Sequence, residues 1–416
     1  MRILLVHQYF YPLHHAQGGR WNAMAKLWAQ QGHKVTVISG TFSLAENKTY
    51  DFCRGKLFAI EGSGSGVRII RAYITEKYNK SFIWRAWAYF TSVVFGFLGA
   101  LLYARGKYDV VIATSPPLTV GPLGVILAAI KRCPFIFEVR DLWPESAIDT
   151  GVLTNPVLIR MMYSMERLSY RKAAAINVLT PAFQEALIKK KRIVPDKIWM
   201  IPNAADLDVI KPGPRDQQIR KKHGWGDKFV GLYMGAHGRA NCLWQLIEAA
   251  KILRNEPEYL IVCLGDGMER EALIKKAEEE KLTNIQFLAA VTKGEVNAYL
   301  NACDVSLIVL KKVDTFKTVY PNKMFDSMSA AKPIVLAIDG VARKLVVEEA
   351  NCGVYVEPEN AGQIAEQMRF YRNSPQIAKE HGENGYKYVC ENYDRKKLAA
   401  KYIGLIDKRV VNKQAG

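Results

Sequence analysis

The order of apolar runs at the amino terminus constrains the fold of this chain more than any other feature. Residues 2–7 contain a short run of Ile, Leu and Val, residues 20–31 carry apolar side chains at helical spacing, and residues 34–39 contain a second run that is rich in β-branched residues. Such runs are typical of two buried parallel strands joined by a helix. Because crossovers of this kind are almost always right-handed, the segment predicts a βαβ unit in an α/β domain.

The alternation continues along the chain and then restarts. A first series of predicted strands is followed by residues 206–227, which are rich in Pro, Gly and charge and are interpreted as a linker and lead-in. A second series begins at residues 228–234. A chain of 416 residues is also too long for one core. We therefore predict two Rossmann-like doubly wound α/β domains, residues 1–205 and 206–392, whose strand ends face each other across a cleft.

Charge and cysteine usage narrow the cellular setting. The formal net charge of +18 favours polyanions, anionic lipid surfaces or phosphorylated substrates. The seven cysteines are scattered and show no C-x-x-C pairing, which argues against a zinc site or a disulfide framework. The apolar run at the amino terminus is too short for a secretory signal. We expect a cytoplasmic protein.

One segment departs from the alternation. Residues 86–104 carry no charge, include several aromatic side chains and are flanked by Arg85 and Arg105. Three interpretations stay open: a helix that contacts or re-enters the membrane, a buried crossover helix, and a true span. Aromatic side chains beside cations are typical of a membrane interface, and residues 189–192 are a second basic run. We expect peripheral contact with the anionic inner face of the cell membrane.

Glycine-rich turns follow several predicted strands. Gly18 and Gly19 precede a helix, whose free N–H groups favour a phosphate. Their spacing is neither that of a dinucleotide fingerprint nor that of a P-loop, which disfavours NAD-dependent redox chemistry and ATP hydrolysis. In the second series, Gly235, His237 and Arg239 lie after one strand, and residues 265–267 (Gly-Asp-Gly) lie after the next. These turns predict a site for a nucleoside diphosphate.

A helix start near residue 322 adds polar groups to this set. Asn322, Lys323 and Asp326 lie within about one turn of each other. Lys323 can pair with a phosphate, and Asp326 can accept a hydrogen bond from a ribose hydroxyl. The alternative is that neither residue binds a ligand: Lys323 is then a surface lysine, and Asp326 only stabilises the amino terminus of the helix.

Several of these motifs together resemble the family 4 retaining glycosyltransferases of the GT-B fold, in particular the L-fucosamine transferase-like enzymes of bacterial surface-polysaccharide assembly. The resemblance covers nearly the whole chain in order. Its most specific stretch is Arg-Asp-Leu-Trp-Pro-Glu-Ser at residues 140–146, and residues 201–206, 265–267 and 321–326 also match.

The resemblance implies a nucleotide-sugar donor bound mainly by the second domain and an acceptor bound by the first. It implies a carboxyl-terminal helix, about residues 393–416, that crosses back to the first domain. It also implies retention of configuration, and we expect neither a metal nor another cofactor. We expect Arg140, Asp141 and Lys323 to act in catalysis. The predicted donor-binding residues are Gly18, Gly19, Gly235, His237, Arg239, Gly265, Asp266, Gly267, Val291, Thr318, Tyr320, Asn322 and Asp326.

The chain departs from the family pattern at its polar positions. The paired glutamates of the family fall on Thr318 and Asp326, so the first carboxylate is absent and the second is shortened. The histidine common before Asp141 is Arg140. The basic residues usual in the donor-phosphate loop fall near Ala236 and Asn241.

These features together predict a glycosyltransferase of the hexosyl or N-acetylhexosaminyl type. We expect it to move a sugar from a nucleotide sugar, UDP-linked, to a glycan or a polyprenyl-diphosphate-linked acceptor. Two rival classes remain: a sugar-nucleotide epimerase of the same fold, and a non-catalytic basic protein that binds membranes or nucleic acid. The chain shows no basic stripe with interleaved aromatics, so we expect no nucleic-acid partner.

Overall fold

A computed structural model describes residues 1–13, 19–43, 48–62, 66–79, 82–149, 151 and 153–414. The chain folds into two compact units. Unit 1 comprises Met1–Pro202 and Lys396–Gly416, and unit 2 comprises Asn203–Arg395. Gly18, which was predicted to bind the donor, lies outside the described residues.

Unit 1 is built on an eight-stranded sheet of order β10-β9-β8-β7-β1-β2-β6-β5. The β-branched and leucine runs form its buried strands because both faces are covered by helices. A separate two-stranded ribbon pairs β3 with β4. The strands are β1 Arg2–Val6, β2 Lys34–Gly40, β3 Phe42–Ser43, β4 Lys48–Thr49, β5 Phe58–Glu61, β6 Val67–Ala72, β7 Val110–Ser115, β8 Phe135–Val139, β9 Ala175–Val178 and β10 Ile198–Met200.

The helices of unit 1 follow its strands. They are α1 Arg20–Gln30, α2 Phe82–Tyr103, α3 Val120–Lys131, α4 Glu145–Asp149, α5 Pro156–Lys172 and α6 Pro181–Lys189. Short 3₁₀ helices lie at Asp51–Cys53, Glu76–Asn79 and Pro195–Lys197. The predicted apolar segment is α2, which connects β6 to β7 within one sheet. A side chain at Gly96 would approach Leu123 of α3 to 3.1 Å, so α2 packs closely on its neighbour.

The final helix, α15 (Arg395–Gln414), returns to unit 1 from Lys396 onward. Its Tyr402 is fully buried and packs edge-on against Trp21, Trp28 and Trp199 at ring distances of 5.5–6.1 Å. The indole N–H of Trp28 donates to the Ala399 carbonyl oxygen at 3.0 Å. These contacts fix the packing of α1 against α15.

Unit 2 is built on a six-stranded parallel sheet of order β13-β12-β11-β14-β15-β16, the order of a doubly wound nucleotide-binding sheet. Its strands are β11 Phe229–Met234, β12 Tyr259–Leu264, β13 Ile285–Leu288, β14 Val305–Val309, β15 Ile334–Ala337 and β16 Gly353–Tyr355. Its helices are α7 Gln217–His223, α8 Trp244–Ile252, α9 Arg270–Glu279, α10 Lys293–Ala302, α11 Asn322–Ser329, α12 Val341–Arg343, α13 Ala361–Asn373 and α14 Pro375–Asn392, with a 3₁₀ helix at Asp314–Thr318 and a π-helix at Lys344–Glu349.

Residues 206–227 were interpreted from the sequence as a linker and lead-in to the second domain. The segment belongs to unit 2 and contains α7. Arg220 of α7 is 1% exposed and donates to the carbonyl oxygens of Ala302 and Gly226. It also lies 3.4 Å from an Asp304 oxygen. Two arginines of this segment, Arg215 and Arg220, therefore pair with Asp304 inside the unit.

Candidate functional site

The polar residues of unit 2 gather at the point where the strand order reverses. From β11 the chain continues to β12 on one side, and from β14 it continues to β15 on the other side. This reversal opens a crevice at the carboxyl ends of β11 and β14. The loop at residues 235–239 follows β11, and α11 follows β14. The predicted glycine loop and the predicted lysine therefore flank one crevice.

The two glycine loops of unit 2 are packed against each other. Gly235 N–H donates to the Leu264 carbonyl oxygen, and His237 N–H donates to the Asp266 carbonyl oxygen at 2.8 Å. Gly265 and Gly267 have φ angles of +154° and +153°. Because the loops approach so closely, a Cβ at position 267 would lie 2.6 Å from the His237 carbonyl oxygen. The glycines are therefore needed for the packing of the two loops.

A Gly265→Ala substitution tests this interlocking. A Cβ at position 265 would lie 1.9 Å from the Gly235 carbonyl oxygen, so we expect a loss of about 2–3 kcal/mol of stability. Thermal unfolding measures it. Gly238→Ala is the matched control for stability, since its Cβ would meet no atom within 4 Å. Equal melting temperatures for the two variants would show that the loops are not tightly packed.

Lys323 is the cation at this crevice. Its Nζ lies 3.9 Å from the centre of the Tyr233 ring and 3.1 Å from Asn241 Oδ1. A Cβ at Gly235 would lie 3.2 Å from the same Nζ. Burial lowers the pKa of Lys323 to about 7. No acidic residue or side-chain cap occupies the first turn of α11, so lysine and helix terminus both favour an anion.

His237 is buried beside this lysine. Among the described residues neither of its ring nitrogens has a partner, and its side chain is fully shielded from solvent. Burial, with smaller contributions from neighbouring charges such as Arg270 and Lys323, lowers the pKa of His237 to about 4. The ring is therefore neutral at pH 7 and adds hydrogen-bonding capacity rather than charge.

Asp326 has a partner that the sequence did not indicate. Lys293, the first residue of α10, lies 2.6 Å from Asp326 Oδ1 and 3.6 Å from Asp206 Oδ2. Arg395 in turn forms an ion pair with Asp206. Burial raises the pKa of Asp326, and Lys293 opposes that shift. One Asp326 oxygen is thus engaged by a lysine, which leaves the other for a ligand.

The other residues that were predicted to bind the donor either contact neighbouring residues of unit 2 or are exposed. Thr318 Oγ1 donates to the Thr315 carbonyl oxygen at 2.6 Å. Tyr320 is buried, with its ring against those of Phe325 and Tyr393. Val291 is partly buried and packs against the core of unit 2. Arg239, Asp266 and Asn322 are exposed.

In unit 1 a buried carboxylate organises the ends of the strands. Glu138 is fully buried and accepts four hydrogen bonds, from Trp21 Nε1 at 2.8 Å, Asn177 Nδ2 at 2.9 Å, Arg20 Nη2 at 3.1 Å and Thr114 Oγ1 at 3.2 Å. Arg20 also donates to the carbonyl oxygens of Ile201 and Pro202. The network joins the start of α1 to the ends of β7, β8 and β9.

Arg140 and Asp141 follow directly on β8. Asp141 Oδ2 accepts a hydrogen bond from Ser146 Oγ at 3.1 Å, and burial raises the pKa of Asp141 despite this bond. Burial lowers the pKa of Arg140. His7 follows β1 and is also buried. Arg140 and Asp141 were predicted from the sequence, whereas His7, Arg20 and Glu138 were not. In the described part of the chain no group of three His, Cys, Asp or Glu side chains is placed to hold a metal.

Comparison with known proteins agrees with this architecture. The glycosyl transferase 4-like domain family matches residues 17–204, and the glycosyl transferases group 1 family matches residues 215–388. The probable glycosyltransferase WbjE of Pseudomonas aeruginosa is 26% identical over 260 residues, which cover 62% of this chain and 64% of that protein. The putative colanic acid biosynthesis glycosyl transferase WcaI of Escherichia coli is 22% identical over 400 residues, covering 91% and 93%.

Solved structures share the fold over almost the entire chain. Sucrose-phosphate synthase of Thermosynechococcus elongatus has a TM-score of 0.75 at 16% identity, covering 98% of each chain. Anabaena HepE in complex with UDP-glucose has a TM-score of 0.72 at 17% identity, covering 98% of this chain and 100% of that one.

The fold is therefore of the GT-B type, with two doubly wound α/β domains. The chain belongs to the glycosyltransferases, with a glycosyl transferase 4-like amino-terminal domain and a group 1 carboxyl-terminal domain. The prediction of a glycosyltransferase is confirmed.

Proposed function

We propose that this glycosyltransferase moves a sugar from a UDP-sugar to a glycan or lipid-linked acceptor during surface-polysaccharide assembly, with retention of configuration. The observation that carries the proposal is the desolvated Lys323 at the uncapped start of α11, beside the loop at residues 235–239. A developing diphosphate is the anion that such a site stabilises. The assignment of WcaI to colanic acid biosynthesis and the binding of UDP-glucose by HepE support the pathway and the donor.

In this proposal different residues of unit 2 bind the diphosphate and the ribose of the donor. Lys323 and the backbone N–H groups of Ala236, Gly238 and Arg239 hold the diphosphate, since those of Gly235 and His237 already bond to the facing glycine loop. His237 donates from its neutral ring. The free oxygen of Asp326 accepts from a ribose hydroxyl while Lys293 holds the carboxylate in place. In unit 1, Arg140 and Asp141 contact the acceptor or the transferred sugar.

A donor screen tests the class of nucleotide. We expect UDP-sugars to raise the melting temperature of the enzyme, by linkage of binding to folding, while GDP- and dTDP-sugars leave it unchanged. Incubation of the stabilising donor without acceptor distinguishes transfer from epimerisation, because an epimerase converts the sugar with no acceptor present. Stabilisation by GDP-sugars alone would reject the UDP assignment, and acceptor-independent epimerisation would reject transfer.

We further propose that unit 1 contacts an anionic membrane through α2. Trp87 and Phe90 are 49% and 57% exposed, and Leu98, Leu101 and Leu102 lie on the same exposed face about two and three helical turns further along. Of the described helices, one has the length and composition of a membrane span, at Trp84–Tyr103. Because α2 joins two strands of one sheet, a surface contact fits it better than a span.

Cations flank α2, and the neighbouring helix α3 also exposes apolar side chains. Lys77 lies over the Trp84 ring at 4.2 Å, and Arg105 caps the carboxyl end of α2 through the Leu102 carbonyl oxygen. Ile126 and Ile130 of α3 are each almost half exposed. The basic run at residues 189–192 offers less free positive charge to a membrane than expected, since Lys191 is paired with Glu145 and Glu166.

Flotation with liposomes tests the membrane contact. We expect the wild type to float with vesicles that contain phosphatidylglycerol, and a Phe90→Glu/Leu101→Glu variant to lose at least about tenfold in partitioning, because two apolar side chains no longer enter the interface. Ile252→Glu is the control, since Ile252 is 46% exposed on unit 2. Equal flotation of all three proteins would reject α2 as the contact.

A further inference from the structure

Two polar residues of the stretch at residues 140–146 have no part in the proposed transfer so far. Ser146 is buried, its Oγ donates to Asp141 Oδ2 at 3.1 Å, and its N–H donates to the Leu142 carbonyl oxygen at 2.8 Å. Glu145 is the first residue of α4, the helix that also carries Ser146. Because Ser146 belongs to α4, the position of the Asp141 carboxylate depends on what fixes that helix.

A lysine outside this stretch fixes the start of α4. The helix spans five residues, and a helix so short gains little stability from its own hydrogen bonds. Glu145 forms an ion pair with Lys191, whose ammonium also lies 2.8 Å from Glu166 Oε2 on α5. Lys191 follows α6, and its N–H donates to the Ala186 carbonyl oxygen at 3.2 Å. One side chain thus joins α4 to α5 and α6.

Burial distinguishes this lysine within the basic run at residues 189–192. The side chains of Lys191 and Glu166 are 15% and 4% exposed, and the ammonium lies 4.7 Å from the centre of the Tyr163 ring. Lys189 also pairs with a glutamate, but its side chain is 72% exposed. Breaking a buried pair leaves a shielded charge without a partner, whereas solvent compensates for the loss at the surface. Lys191 therefore anchors the three helices, while Lys189 does not.

We propose that Lys191 is a positioning residue for sugar transfer. By pairing with Glu145 it fixes the start of α4, and Ser146 on that helix then fixes the Asp141 carboxylate. The inference rests on the proposed function, in which Asp141 contacts the acceptor or the transferred sugar. A displacement of about 1 Å at a reacting group can lower a rate by about 100-fold, even when the altered residue touches no substrate.

Amide hydrogen exchange of the free enzyme tests the anchoring without substrate. The N–H groups of residues 146–148 donate to the carbonyl oxygens of residues 142 and 144. We expect Lys191→Met to raise their exchange by at least about tenfold, because a short helix opens locally once its anchor is lost. Lys191→Arg should keep the slow exchange, and Lys189→Met is the matched control.

A second variant covers the case in which Lys191→Met does not fold. Glu145→Gln leaves Lys191 paired with Glu166, so the buried lysine keeps a partner, but it removes the ion pair that reaches α4. We expect the same faster exchange at residues 146–148. Exchange at the wild-type rate in Glu145→Gln and in Lys191→Met would overturn the anchoring.

A double-mutant cycle with Asp141 tests whether the anchoring serves transfer. Turnover is measured as UDP released from the UDP-sugar that the donor screen selects. We expect Lys191→Met to lower kcat by about 10–100-fold and Lys191→Arg to recover most of it. The affinity for UDP should not change, because the proposed diphosphate site lies in unit 2. In the Asp141→Asn background, Lys191→Met should lower kcat by less than about threefold, since the carboxylate that it positions is already absent.

The outcomes separate the positioning role from the proposed function. Equal losses from Lys191→Met with and without the Asp141 carboxylate would show general destabilisation and overturn the positioning role, as would wild-type kcat in Lys191→Met. Wild-type kcat in Asp141→Asn would remove Asp141 from the proposed function and the positioning role with it. A wild type that releases no UDP from any UDP-sugar rejects the proposed function, and the exchange rates still decide whether Lys191 anchors α4.

Discussion

Replacing Lys323 by alanine is expected to lower kcat/KM for a UDP-sugar by about 10²–10³-fold, the loss typical of removing one preorganised group that stabilises a developing anion. The lysine is held by Tyr233 and Asn241, and burial brings its pKa to about 7. Initial rates over a range of donor concentrations measure the change. Because the charge of a leaving diphosphate grows in the transition state, most of the loss should fall on kcat.

The pH dependence of UDP affinity is an independent test of the role of Lys323. Below pH 7 Lys323 is protonated and pairs with the diphosphate; above pH 7 the free enzyme loses that proton, so the affinity for UDP should fall as the pH rises. The Lys323→Ala variant should lack this slope. Lys275→Ala removes an exposed lysine of α9 and serves as the control. A Lys323→Ala enzyme within threefold of the wild type would remove Lys323 from the mechanism.

Replacing Glu138 by alanine is expected to destabilise unit 1 by about 3–5 kcal/mol, because Arg20 is left as a buried, unpaired cation. The donors of Trp21, Asn177 and Thr114 lose their acceptor as well. For a domain of this size the melting temperature should fall by roughly 10 °C. Differential scanning calorimetry measures the transition.

An exposed glutamate provides the matched comparison. Glu185 pairs with Lys189 on the surface of α6, where solvent screens the interaction, so Glu185→Ala should leave the melting temperature unchanged. Glu138→Gln keeps the size of the side chain, so its melting temperature should lie between those of Glu138→Ala and Glu185→Ala. If Glu138→Ala melted with the wild type, the network would not hold the strand ends together.

Sequence periodicity predicted the elements that bury apolar faces. The runs that became β1, β2, β7, β8 and the central strands of unit 2 are short, β-branched and flanked by turn residues, which local sequence records directly. The strand order is set by long-range pairing, which local pattern does not encode. Two edge strands were missed, β5 and β16. Phe58–Glu61 pairs antiparallel with β6 at the rim of the sheet, where an edge strand needs little apolar sequence.

The candidate site could be predicted where its residues lie in the turn or helix start that directly follows a strand. Gly235, Gly265 and Lys323 were identified because glycine turns and a helix start are local signals. Lys293 and Asn241 were not, since the folded sheet brings them to Asp326 and Lys323 from 33 and 82 residues away. Glu138 had a usable signal: it is a lone acid inside the apolar run of β8, a position that requires buried partners.

A crystal structure of the enzyme with UDP tests the central claim most directly. We expect the diphosphate in unit 2, with an oxygen at about 2.7–3.2 Å from Lys323 Nζ and others on the N–H groups of Ala236, Gly238 or Arg239 in the loop at residues 235–239. We also expect a ribose hydroxyl on the Asp326 oxygen that Lys293 leaves free. UDP bound with its phosphates away from both Lys323 and that loop would contradict the proposed donor site.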